Sequence, residues 1–115
     1  MAAMKKLFRW QKGRQETGYD KLLLATGRRP IPFDVYLLRF PEGSLVPAHI
    51  DKVLDGKHFR LNFVLKQAKQ GGKFICNTPI YESSRVKFFR PDISEHQVTR
   101  VTSGRRYVLS IGWVK

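Results

Sequence analysis

The chain is expected to be all-β, a sandwich or barrel with little helix, on three observations. Short runs of strand-forming residues follow one another at close spacing, with Gly, Pro, Asn, Asp and Ser clusters between them. Two segments, Phe59 to Lys66 and Arg105 to Val114, alternate large apolar residues with different ones, the period of a strand. The length, 115 residues, is about what a double-sheet jelly roll needs.

Taken in order, Met4 to Gln11 reads as a short strand or an N-terminal arm, punctuated by Gly13 and Gly18. Tyr19 to Ala25 is expected to form a turn or two of helix that Gly27 ends. Arg29-Pro30-Ile31-Pro32 is a linker of restricted backbone. Asp34 to Phe40 is rich in strand formers, and Pro41 to Ser44 turns the chain. Leu45 to Val53 carries a His-x-Asp pair and precedes the turn Asp55-Gly56-Lys57. After the alternating strand at Phe59, Gly71-Gly72 turns again, Lys73 to Asn77 and Arg85 to Phe89 are strands, and Arg90-Pro91-Asp92 is a loop. His96 to Val101 and Arg105 to Val114 are expected to close the chain as a hairpin across Thr102-Ser103-Gly104.

By length this is one domain, read as a basic N-terminal region, 1–34, packing on or extending a jelly-roll core, 35–115. Lys and Arg total 22 against 9 Asp and Glu, a formal charge of +13 that attracts anions of many kinds and says nothing about fold. Eight of those bases lie in the first 30 residues, where a solvated surface and an anion-binding face are both open. The single cysteine, Cys76, excludes an internal disulfide and suits a reducing cytosol. No apolar run reaches membrane-spanning length, and Leu7-Phe8-Arg9-Trp10 is no signal-peptide core, so a cytoplasmic protein without a membrane partner is the expectation.

The chemistry centres on Pro47-Ala48-His49-Ile50-Asp51. In an extended strand His49 and Asp51 share a face, and a third ligand from a distant strand, His96, would complete a two-His-one-carboxylate set. That set leaves positions open on a metal and suits Fe(II) and oxygen chemistry. On the last strand Tyr107, Leu109, Ile111 and Trp113 form one bulky apolar face, while Arg106, Val108, Ser110 and Gly112 form the other. Room beside a lone arginine suggests a carboxylate pocket, since the guanidinium fork binds carboxylate in a bidentate manner. Arg105 is the competitor, because a one-residue slip exchanges the two faces.

Read together, Arg39-Phe40-Pro-Glu-Gly43, His49-x-Asp51, Arg60-Leu-Asn-Phe-Val-Leu, Gly71-Gly72-Lys-Phe, His96-Gln-Val98 and Gly104-Arg-Arg106-Tyr107 resemble, in order, the Fe(II)- and 2-oxoglutarate-dependent dioxygenase superfamily. The small prolyl-hydroxylase-like members are the most similar, over roughly Tyr36 to Val114. The resemblance implies a double-stranded β-helix holding Fe(II) through His49, Asp51 and His96. It implies 2-oxoglutarate bound at its far carboxylate by Arg106, with O2 as the second cosubstrate, and hydroxylation coupled to decarboxylation of 2-oxoglutarate to succinate and CO2. Family members often carry Tyr where Phe40 stands, so Tyr36 or Asn62 is expected to supply the missing contact to the cosubstrate. A second nitrogen partner is expected for each histidine, of unknown identity.

Other groups are read as structural. His58 is taken as a loop exit, Cys76 as a buried inert thiol, and Gly71-Gly72-Lys73 as a turn rather than a phosphate loop. Trp10, Phe88, Phe89 and Trp113 are assigned to the core, with an exposed aromatic among the N-terminal bases able instead to stack on a nucleobase. A chain this short has little left to build a lid, which favours a protein or nucleic acid over a small metabolite as substrate, and leaves an oligomer open. Two rivals stand beside the oxygenase: a non-catalytic basic β module that binds nucleic acid or an acidic protein, and a jelly-roll metalloenzyme that uses no 2-oxoglutarate.

Overall fold

The computed structural model describes residues 7–13 and 17–115. Among them lie twelve strands and no helix: β1 (Trp10–Lys12), β2 (Asp20–Gly27), β3 (Phe33–Phe40), β4 (Val46–His49), β5 (His58–Lys66), β6 (Gln70–Gly71), β7 (Phe74–Cys76), β8 (Tyr81–Glu82), β9 (Val86–Phe89), β10 (His96–Val98), β11 (Val101–Ser103) and β12 (Arg106–Val114). The large sheet runs β1-β2-β3-β12-β5-β9-β8, the small one β4-β10-β7, and β6 pairs with β11. From β3 to β12 the main strands alternate between the sheets: β3, β5, β9 and β12 in the large one, β4, β7 and β10 in the small one. A chain wound back and forth in this way between two antiparallel sheets is a double-stranded β-helix.

Burial follows the side-chain alternation of β12. Arg106, Val108, Ser110 and Gly112 are buried between the sheets, while Tyr107, Leu109, Ile111 and Trp113 are half-buried on the outer face. The register assigned to Arg106 rather than Arg105 is therefore the one the fold adopts. Between the sheets the core gathers Phe40, Val46, Val64, Val98, Val101 and Val108. Phe40 and Phe89 are each 1% exposed, a burial that stabilises by about 2–3 kcal/mol per ring.

Several expectations are corrected. Tyr19 to Ala25 is not helical; β2 pairs along β3 from Asp20 opposite Arg39 to Gly27 opposite Phe33, with a bulge between Leu23 and Ala25. Leu22 sits opposite Leu37, and Arg39 donates to the Asp20 carboxylate at 3.1 Å, so cross-strand partners outweigh local helix preference. Gly27 does end the element, where a Cβ would stand 2.6 Å from the Phe33 ring.

The closing hairpin does not form either. His96–Val98 pairs with β4 and β7 in the small sheet, whereas Arg106–Val114 pairs with β3 and β5 in the large one. The intervening β11 pairs with β6 instead. Within the N-terminal arm, Trp10 and Gln11 fall in β1 on the edge of β2, and Met4 to Lys6 lie outside the described residues. Phe88 and Trp113 leave the inter-sheet core and stack with Phe59, at 6.1 Å from Phe88 and 5.8 Å from Trp113. Trp10 is 41% exposed, with the Arg39 guanidinium 3.9 Å from its ring centroid.

Candidate metal centre

His49 ends β4 and His96 opens β10, and the register sets them directly opposite each other. Their rings lie 4.3 Å apart, centroid to centroid. Asp51 arrives by a different route from the one expected. The strand stops at His49, and Asp51 belongs to the following loop, where its backbone N–H donates to the Pro91 carbonyl at 2.7 Å. From there its carboxylate lies 3.3 Å from His49 Nε2 and 3.4 Å from His96 Nε2. The donor atoms of the three residues all fall within 4.8 Å of one another.

The far side of each ring decides what those atoms can do. His49 Nδ1 donates to the Pro47 carbonyl at 2.7 Å, and His96 Nδ1 donates to the Ser94 carbonyl at 2.9 Å. A carbonyl only accepts, so each Nδ1 must carry the hydrogen. In the neutral imidazoles both Nε2 lone pairs then face the Asp51 oxygens. Three acceptors converging on one point suit a cation, and the two-nitrogen, one-oxygen set fits a divalent metal with open positions. These carbonyl clamps are the second-nitrogen partners that the sequence left unnamed; each is two residues upstream of its histidine.

Arg90 to Ser94 braces the group. Besides holding Asp51 and His96, this loop carries Ser94 Oγ, which accepts from Thr78 N at 3.0 Å and Thr78 Oγ1 at 2.9 Å and lies 3.1 Å from Cys76 Sγ. Cys76 is thus only half-buried and takes part in a hydroxyl network.

A cavity of about 240 Å³ opens between the sheets from the three residues, and all the other site residues inferred from the sequence line it: Arg106, Tyr36, Phe40 and Asn62. Arg106 is 4% exposed, and among the described residues no carboxylate pairs with it. Its neighbour is the Phe40 ring, 4.9 Å from the guanidinium carbon. Burial pulls its pKa down to about 10.

Nearer the metal-ligand end, Tyr36, Ser110 and Asn62 form one row across β3, β12 and β5. Asn62 is 7% exposed, and its Oδ1 accepts no hydrogen bond among the described residues. Burial first, then the Asp34 carboxylate, raises the Tyr36 phenol above its ordinary value.

Among the lining residues given no site role from the sequence are Arg60 and His58. Arg60 reaches across β12, donating to Ser110 Oγ and to Asp34 Oδ1, each at 2.8 Å. Gly112 makes that reach feasible, because a Cβ there would stand 2.0 Å from the Arg60 guanidinium. A glycine in the middle of a strong strand pattern was the available signal. His58 is the second. It opens β5 rather than sitting in a loop, lines the cavity, and lies 3.3 Å from Arg60 Nη2 through its Nε2. Burial, followed by the nearby Arg60 charge, lowers its pKa.

No protein-family model matches the chain, and no curated protein does. Solved structures match in shape. A chain in the complex of Rhodobacter sphaeroides SigE with the anti-sigma ChrR aligns with TM-score 0.57 and 19% identity, over 90% of this chain and 48% of that one. This chain thus spans about half the length of that relative. The cupin domain of Schizosaccharomyces pombe Cnp3 aligns with TM-score 0.60 and 13% identity, over 93% and 69% of the two chains. The fold is the double-stranded β-helix of the cupins. A viral collagen prolyl hydroxylase from Paramecium Bursaria Chlorella virus-1, solved as its 2OG complex, also aligns, with TM-score 0.51 and 21% identity over 71% and 58% of the two chains. At such identities these likenesses establish architecture, and chemistry has to be argued from the site.

Proposed function

We propose that this chain is an Fe(II)- and 2-oxoglutarate-dependent oxygenase that hydroxylates a macromolecular substrate. The observation that carries the reading is the Arg106 guanidinium, 4% exposed and without a carboxylate among the described residues, on the same cavity as His49, Asp51 and His96. A buried cation left unpaired is costly. A dicarboxylic cosubstrate held by the metal at one end and by Arg106 at the other removes that cost.

In this reading His49 Nε2, His96 Nε2 and an Asp51 oxygen hold Fe(II), and the Pro47 and Ser94 carbonyls fix both rings in the binding tautomer. Iron(II), when bound, supplies O2 activation coupled to oxidative decarboxylation of 2-oxoglutarate, giving hydroxylated product, succinate and CO2. Arg106 orients the far carboxylate through its planar fork, and the Phe40 ring supports the guanidinium from one side. Phe40 brings no hydroxyl to the cosubstrate. Tyr36 and Asn62 stand on the same cavity and supply the phenol and amide in its place. Val46, Phe74 and Phe89 keep water from the wall beside His96. Substrate enters on the side left open, where no helix of the described chain forms a lid.

The experiment is a pair of measurements on wild type, Arg106→Ala and Arg105→Ala. Succinate formed from 2-oxoglutarate with Fe(II) is followed alongside 2-oxoglutarate binding to the Mn(II)-loaded chain. Arg106→Ala should weaken 2-oxoglutarate binding at least 100-fold, on the order of the 3–5 kcal/mol of a broken buried pair, and leave Mn(II) affinity unchanged. Arg105 is exposed, and its replacement should change neither. Equal 2-oxoglutarate affinity in all three proteins would defeat the proposal.

A further inference from the structure

A second cavity, of about 600 Å³, lies at the other end of β5 and β12 and shares Arg106 with the first. Its lining carries Lys69, Lys73, Lys87 and Arg106 and no acidic side chain. Lys87 is engaged by Glu82 at 3.4 Å. Among the described residues Lys69 and Lys73 make no ion pair, and both are exposed at the rim. Gln67, Gln70 and Ser84 add neutral hydrogen-bonding groups.

We propose that this cavity binds a compact phosphate-bearing anion. Two unpaired ammonium groups at a rim, above a buried unpaired guanidinium, form a concave positive site with its deepest charge already stripped of water. Ammonium groups serve as point-charge partners of phosphate oxygens, and the guanidinium offers a bidentate edge. The volume suits a small molecule rather than a lone ion. A general attraction for anions is expected of any chain of charge +13, so the test has to separate this cavity from that background.

Inorganic pyrophosphate, the simplest probe, is titrated by calorimetry into the metal-free full chain at constant ionic strength, with no 2-oxoglutarate present. No second anion then competes for Arg106, which lines both cavities, so a failure of phosphate binding is distinguishable from a failure of the oxygenase reading. Lys69→Gln/Lys73→Gln should weaken binding at least tenfold and keep the wild-type melting temperature, because both side chains are exposed. Lys57→Gln/Lys115→Gln removes the same charge at the opposite end of β5, where Lys57 and Lys115 bond through their backbones, and should change affinity less than twofold. Equal weakening in the two double variants, or none in the first, overturns the proposal. Adenosine diphosphate in a parallel titration sorts the source: tighter binding than pyrophosphate marks a nucleotide, and weaker binding marks a free polyphosphate.

Discussion

Asp92 carries no chemistry, yet the metal-ligand loop depends on it. Its carboxylate accepts from Arg90 Nε at 3.2 Å and from Arg90 Nη2 at 2.6 Å, and its side chain is only 6% exposed. Burial by itself would raise its pKa. The hydrogen bond from Arg90 and those from the backbone N–H groups of His58 and Asp92 outweigh burial and hold it below the usual carboxylate range. A depressed folded-state value means a stabilisation present above the unfolded value, about 3.9, and lost as pH falls through the folded one. Asp92→Asn should therefore cost about 1–2 kcal/mol at pH 7. The difference in melting temperature from wild type should shrink below about pH 4 as the native carboxylate protonates. A gap that stays constant from pH 7 to pH 3 would refute the assignment.

At this scale the convergence of His49, Asp51 and His96 was legible in the sequence, because the chain has only 3 His and two of them stand at a telling spacing. Arg106, one of many arginines, was marked instead by the small residues that share its strand face. The Pro47 and Ser94 carbonyls were not legible, since every residue has a carbonyl and only the fold shows where one points.

Elements were legible where alternation was strong and misread where pairing was long-range. β3, β5, β7, β9 and β12 stand where the patterns placed them, within a residue or two. β2 was mistaken for helix because Leu-Leu-Leu-Ala carries no alternation, and its strand character comes from β3 alongside. The apparent closing hairpin failed at Val101. That residue is fully buried, bonded through its backbone to Gly43 and Ser44 and paired with Gly71 of β6, so the chain leaves the small sheet before β12 begins.

The β6–β11 link depends on Gly71, which has φ +74° and whose Cβ would stand 2.0 Å from the Arg100 carbonyl oxygen. A backbone atom cannot swing aside as a side-chain tip does. Gly71→Ala should therefore cost at least ~2 kcal/mol in urea unfolding, combining left-handed strain with a forced separation of the two strands. Gly43, at φ +88° in open space, is the control; alanine there should cost only about 1 kcal/mol. Equal losses at both positions would show that the close approach to Arg100 is not a constraint.

On the scale of the whole molecule, the formal charge of +13 attracts anions of many kinds and by itself gives no position for one. The fold gathers several of the bases in one place. Lys66 lies opposite Tyr107 at the end of β5, the Lys69 backbone lies against Gly104, and Arg100 lies against Gly71. Together with Lys73 and Arg105, these bases gather at the end of the sheets away from His58 and Val114. An acidic macromolecule gripped there by phosphate contacts must release counterions, and its affinity should fall steeply with salt. For a single-stranded oligonucleotide held by five or six bases, log K should fall against log salt with a slope of roughly −4. Mn(II) binding at His49, Asp51 and His96 involves no phosphate and should stay level over the same salt range. The two surfaces are separable by mutation as well. A triple alanine variant at His49, Asp51 and His96 should lose the metal and keep the oligonucleotide slope within about one unit. An affinity indifferent to salt would remove nucleic acid from the substrates considered. A slope abolished by the triple variant would show instead that the polyanion sits at the metal-ligand cavity itself, and that the basic end of the sheets serves some other anion.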